Sequence, residues 1–144
     1  MDRALPRILR SNMAGILEMS TEMSSGRTAP VADGLSDAQY HERAYAVIAA
    51  VESQADRWLQ DEGVDVDASR TGGLLELTFA NRSKIVINTQ PPLHEIWLAA
   101  RGGGFHFRFR DGKWVDTKSS QEFFALLSVC ASDQAGCVLQ AAPV

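Results

Sequence analysis

The hydrophobic period of this chain changes twice, from helical to strand-like and back, and few architectures accommodate both changes. Ser36-Asp37-Ala38-Gln39 reads as a capping box, in which the serine and the glutamine each satisfy a backbone N–H of the first turn. Behind it, Tyr40, Ala44, Val47, Ile48, Val51, Ala55, Trp58 and Leu59 recur at helical spacing and form one apolar stripe. Gly63 stands where a C′ glycine ends a helix. The period then drops to two. Strands are expected at Val64–Asp67, Leu74–Ala80, Ser83–Gln90, His94–Ala100, Gly104–Arg110 and Lys113–Thr117. Asn81-Arg82 and Asp111-Gly112 sit at hairpin positions, and Pro91-Pro92 stops the third strand. Ser119-Ser120-Gln121-Glu122 fits a second capping box, before a stripe of Phe123, Leu126, Leu127 and Cys130. Helix, consecutive strands and helix imply an α+β fold. The expectation is a two-layer α-β sandwich, with an antiparallel sheet of five to six strands and both helices on one face. The other sheet face is then expected to meet water.

A chain of 144 residues, 45% of them hydrophobic, can bury one such core without staples. No apolar run approaches the ~18 residues of a spanning helix. Cys130 and Cys137 are too few for a disulfide scaffold and lack paired zinc spacing, so they read as reduced thiols. The net charge of −4 argues against a general nucleic-acid binder. Its distribution is uneven. Residues 33–67 carry nine acids against Arg43 and Arg57, whereas residues 68–144 carry eight basic groups against six acids.

Residues 1–34 read as an appendage to a folded domain at 35–136, with 137–144 as a flexible tail. The opening is basic, and the stretch from Met19 to Gly34 is rich in Ser, Thr, Gly, Ala and Pro without a sustained period. A disordered tail, a targeting segment and a start codon placed upstream of the true one all fit. A secretory signal does not, for want of an apolar h-region.

Two features of the expected domain suggest chemistry. If Leu75, Leu77, Phe79, Ile85, Ile87, Ile96, Leu98, Phe105 and Phe107 face the helices, then Glu76, Thr78, Lys84, Val86, Asn88, Gln90, Glu95, Trp97, His106 and Arg108 face outward. A tryptophan on a solvated face marks a binding surface, unless a loop or the N-terminal segment covers it. The second feature is acidic. Glu52, Asp56, Asp61, Glu62, Asp65 and Asp67 place six carboxylates in sixteen residues with only Arg57 among them. Such a ridge suits a hard, hydrated cation or a basic partner, and equally a solvated face that maintains solubility. Asp37 and His41, four residues apart, are either a further cation pair or a helix-end salt bridge.

Three other patterns fail. Asp65-x-Asp67-x-Ser69 with Glu76 imitates an EF-hand loop, but Arg70 occupies its obligatory glycine position. Gly102-Gly103-Gly104 lacks the lysine and the helix of a phosphate loop. Nothing places a serine, a histidine and an aspartate as a triad.

The run from Leu74 to Ala99 contains Ile87-Asn88-Thr89-Gln90-Pro91-Pro92 and Ile96-Trp97-Leu98. With Gly103-Gly104-Phe105-His106-Phe107, Lys113-Trp114 and Gln134-Ala135-Gly136, it resembles the frataxin family over Leu35 to Gly136. The resemblance implies a non-enzymatic protein that binds iron, Fe²⁺ or Fe³⁺, weakly through an acidic ridge and acts in iron–sulfur cluster assembly. Its implied partners are a cysteine desulfurase and a cluster scaffold protein, with neither nucleic acid nor membrane. Carried over by position, the ridge is Glu52, Asp56, Asp61, Glu62, Asp65 and Asp67, headed by Asp37 and His41, and the partner face is Asn88, Gln90 and Trp97. Ser53, Arg57 and Ser69 stand where relatives often carry acids, and Arg82 replaces the usual hairpin glycine. The ridge is therefore expected to be thinner. The implied state is mainly monomeric, with an iron-dependent oligomer as the alternative. The implied compartment is the bacterial cytoplasm, or the mitochondrion if residues 1–34 are a transit peptide. The competing readings are a ferroxidase or iron store, which lacks the Glu-x-x-His pairs of di-iron sites, a metal-independent interaction module, and a single-strand nucleic-acid binder, which the acidic total opposes.

Overall fold

The computed structural model describes residues 34–143. Residues 1–33, which hold nearly all of the expected appendage, and Val144 lie outside the described residues. Helix α1 spans Asp37–Glu62 and begins as its sequence dictates. The Ser36 hydroxyl accepts the Gln39 N–H at 3.1 Å, and the Gln39 side-chain oxygen accepts the Ser36 N–H at 3.0 Å. Gly63 ends it at φ 68°, a conformation that glycine adopts without a Cβ penalty. Six strands follow: β1 Val66–Thr71, β2 Leu74–Phe79, β3 Lys84–Gln90, β4 Glu95–Ala100, β5 Gly103–Arg110 and β6 Lys113–Asp116. They pair in sequential order, each antiparallel to its neighbour. Helix α2, Phe123–Ala135, closes the fold.

Both helices pack on one face of the sheet, as expected. Tyr40, Ile48 and Trp58 of α1 and Phe123 and Leu127 of α2 share one core with Leu75, Leu77, Ile85, Ile87, Ile96, Leu98 and Phe107. Each large apolar side chain in that layer contributes about 1.5–3 kcal/mol by leaving water. Gln134 is the polar pin of this layer. Its amide donates to Ser83 Oγ and the Lys84 carbonyl and accepts the Arg101 N–H, so α2 ties the turn before β3 to the turn after β4 at one end of the sheet. Asn81 makes the β2–β3 turn, with its side chain bridging Ser83 N and the Gln134 carbonyl. Arg82 takes the left-handed φ of 73° that a glycine would take more easily there.

The structure corrects four expectations. Strand β1 starts at Val66, so Val64 and Asp65 precede it. Ser119 does not cap α2. Glu122 does, accepting the Ala125 N–H at 3.0 Å, because the Asp116 carboxylate holds both Ser119 N and Oγ and Ser120 turns left-handed at φ 64°. Residues 137–143 are docked, not loose. Leu139 and Ala141 are buried, the Trp58 indole donates to the Gln140 carbonyl, and Ser128 and Ser132 bond the Ala141 and Leu139 backbone. The fourth correction is the outer sheet face, where Val86, Gln90, Glu95 and Trp97 are buried. Both cysteines are free thiols, and burial, with Asp133 second, pushes the Cys130 thiol up to about 11. Among the described residues, no helix is long and apolar enough to cross a membrane.

Candidate functional site

The ridge is built by α1 and the start of β1. Glu52 and Asp56 are one helical turn apart and share a flank. Asp65 lies exposed just before β1, and Asp67 lies exposed within it. Asp56, Asp65 and Asp67 form no ion pair among the described residues. Glu52 does: Arg70 of β1 reaches it at 3.1 Å, while its guanidinium lies 5.5 Å from the Tyr45 ring centroid and donates to the Gly72 carbonyl. Asp61 does not join this flank. At about 100° per residue, nine positions carry it to the opposite side of the helix from Glu52. Glu62 ends the helix, exposed. Among the described residues, no three His, Cys, Asp or Glu side chains converge closely enough to share one metal ion.

The expected pairing at the head of the ridge is replaced by another. Asp37 is held by His94, with Nε2 to Oδ1 at 2.8 Å, and the His94 ring stacks on Tyr40 at 4.7 Å. His94 reaches that place because it follows the 3-10 turn Pro91–Leu93 in a left-handed conformation, φ 53°. The Tyr40 hydroxyl donates to the Glu95 carbonyl at 2.6 Å and accepts from Gln90 N, tying α1 to the ends of β3 and β4. His41 is exposed and packs edge-on against Tyr40 and Tyr45.

The outer sheet face holds a closed network. Register sets Asn88 opposite Trp97 and Gln90 opposite Glu95 on β3, and Trp97 opposite His106 and Glu95 opposite Arg108 on β5. The Trp97 indole donates to Glu95 Oε1 at 2.7 Å, and Arg108 Nε donates to Oε2 at 2.9 Å. The His106 ring lies on Trp97, with centroids 3.6 Å apart and planes 9° apart. Trp97 is only 3% exposed, packed also against Leu93. Burial lowers the His106 pKa and outweighs the opposing pull of Glu95. The sequence placed these side chains on the correct face but missed the network and the Arg70–Glu52 pair. For the Glu95–Arg108 pair, opposite charges on one face of adjacent strands were the available signal.

A frataxin-like domain model matches residues 33–137. The iron–sulfur cluster assembly protein CyaY of Paraburkholderia xenovorans is 54% identical over 102 residues, 71% of this chain and 93% of that one. Its counterpart in Polaromonas is 50% identical over 102 residues, covering 71% and 88%. Among solved structures, frataxin from Psychromonas ingrahamii superposes with a TM-score of 0.65 at 33% identity, over 74% of this chain and 97% of its own. A six-stranded sheet carrying two helices, the motif along β3 and β4, and relatives at half identity converge: the chain belongs to the frataxin family.

Proposed function

We propose that this chain is a non-enzymatic, iron-responsive component of iron–sulfur cluster assembly that docks on the complex of cysteine desulfurase and scaffold protein. The assembly role is that of its curated relatives, whose length it covers almost entirely. The carrying observation is the exposed, uncompensated row of Asp56, Asp65 and Asp67 beside the α1–β1 junction. Carboxylate oxygens suit hard cations, and iron is here cargo. An open row leaves most of the ion's hydration shell in place, so binding is weak. The same charges attract a basic protein surface, so iron and desulfurase compete for one edge.

Charge reversal tests this reading. Asp56→Lys with Asp65→Lys leaves the Glu52–Arg70 pair intact. It should weaken desulfurase binding by about tenfold or more in low salt, and the wild-type interaction should itself fade as salt shortens the screening length to ~8 Å and below. The urea midpoint should barely move. Undiminished binding by the double variant, measured by calorimetry in low salt, removes the ridge as the docking site.

A further inference from the structure

We propose, extending that docking reading, that the outer sheet face receives a carboxylate of the partner protein on His106 and Arg108, with Glu95 and Trp97 as the positioning residues beneath them. Trp97 is the residue expected to meet the partner, yet its indole is buried and its N–H is already spent on Glu95. What this network turns outward is the layer above. The His106 and Arg108 side chains are 32% and 31% exposed, against 5% for Glu95. Arg108 uses Nε on Glu95, and its two terminal nitrogens form no hydrogen bond among the described residues. They remain available as a donor fork, the geometry that suits a carboxylate.

The rigidity of this pair comes from below. Glu95 fixes the indole through one oxygen and the guanidinium through the other, and the indole plane fixes the imidazole. The charges facing His106 are Glu95 from β4, Arg108 from its own strand, Asp116 from β6 and Lys118 beyond it. Arg108 neutralises Glu95, so the face is near neutral while His106 is uncharged and becomes cationic when it takes a proton. His106 Nδ1 lies 3.9 Å from Glu95 Oε1, too far for a hydrogen bond, so Glu95 acts on it through charge alone. A partner carboxylate favours the charged imidazolium, and docking therefore takes up a proton.

The test is the pH dependence of affinity, with the full chain and the assembled desulfurase–scaffold complex, at constant ionic strength between about pH 6 and 8. Wild type should bind several-fold more tightly at the acid end, up to about tenfold for one unit of pKa rise on docking. His106→Phe keeps the stack on Trp97 but carries no proton, and its profile should lose that slope. Glu95→Gln keeps an acceptor for the indole and loses the charge that favours the imidazolium, so its profile should move to lower pH. Near-UV circular dichroism checks that the aromatic stack survives in both. A wild-type slope in the His106→Phe variant, or an unshifted Glu95→Gln profile, overturns the inference and leaves docking intact. No binding by wild type at any pH overturns both.

Discussion

Along the α1–β1 edge, Asp56, Asp65 and Asp67 stand in water with no cation in reach among the described residues. Across the sheet, Glu95 is 4% exposed and gives one carboxylate oxygen to an indole and the other to a guanidinium. The two regions use the same functional group in opposite electrostatic states. A carboxylate in water keeps its hydration and costs the fold little, but its field stays open to any passing cation. A carboxylate under a sheet face loses that hydration and persists only because each of its oxygens finds a donor. Openness suits the first region to exchangeable cargo. Closure suits the second to presenting a fixed shape.

Substitution should separate the two sharply. Glu95→Ala leaves the Arg108 guanidinium half-buried beside an unpartnered indole N–H, and breaking a buried charge pair from one side costs about 3–5 kcal/mol. Equilibrium urea unfolding should show a loss near the low end of that range, since Arg108 retains some contact with water. A loss under about 1 kcal/mol would mean the network is ornamental and the contrast between the regions is false.

The fold was legible where local chemistry and tertiary packing agree. The capping box at Ser36, the stripe from Tyr40 to Trp58 and the left-handed stop at Gly63 are each encoded within a few residues, and each stands where it was expected. Local pattern failed where a distant or competing partner decides. Ser119 resembles a cap, but Asp116, three residues earlier, captures it first. Cys137 to Pro143 has no period because its order comes from Ser128, Ser132 and the Trp58 indole, which lie on two different helices. At the ridge the acids were visible, but their pairing was not. Arg70 is eighteen positions from Glu52, and only the packing of β1 beside α1 joins them.

That pair gives an intermediate effect. Arg70→Gln removes the only cation in ion-pair contact with the ridge carboxylates among the described residues and leaves Glu52 to act beside Asp56. Exposed pairs of this kind are worth about 0.2–1 kcal/mol, so the affinity for Fe²⁺, titrated anaerobically, should rise about two- to threefold while stability changes little. An unchanged affinity would detach Glu52 from the proposed cation-binding edge and confine that edge to Asp56, Asp65 and Asp67.

The smallest effect tests whether the open edge is held against self-repulsion. Replacing Asp56, Asp65 and Asp67 together by asparagine removes three like charges that gain nothing from one another in the folded state. In low salt the triple variant should be more stable than wild type, by about 0.5 kcal/mol, a size typical of exposed charge effects. Near 1 M salt, where the screening length falls to ~3 Å, the difference should vanish. Destabilisation at both salt concentrations would mean that these aspartates are bound into the fold after all. The edge would then be a second closed network, unfit to hold exchangeable iron.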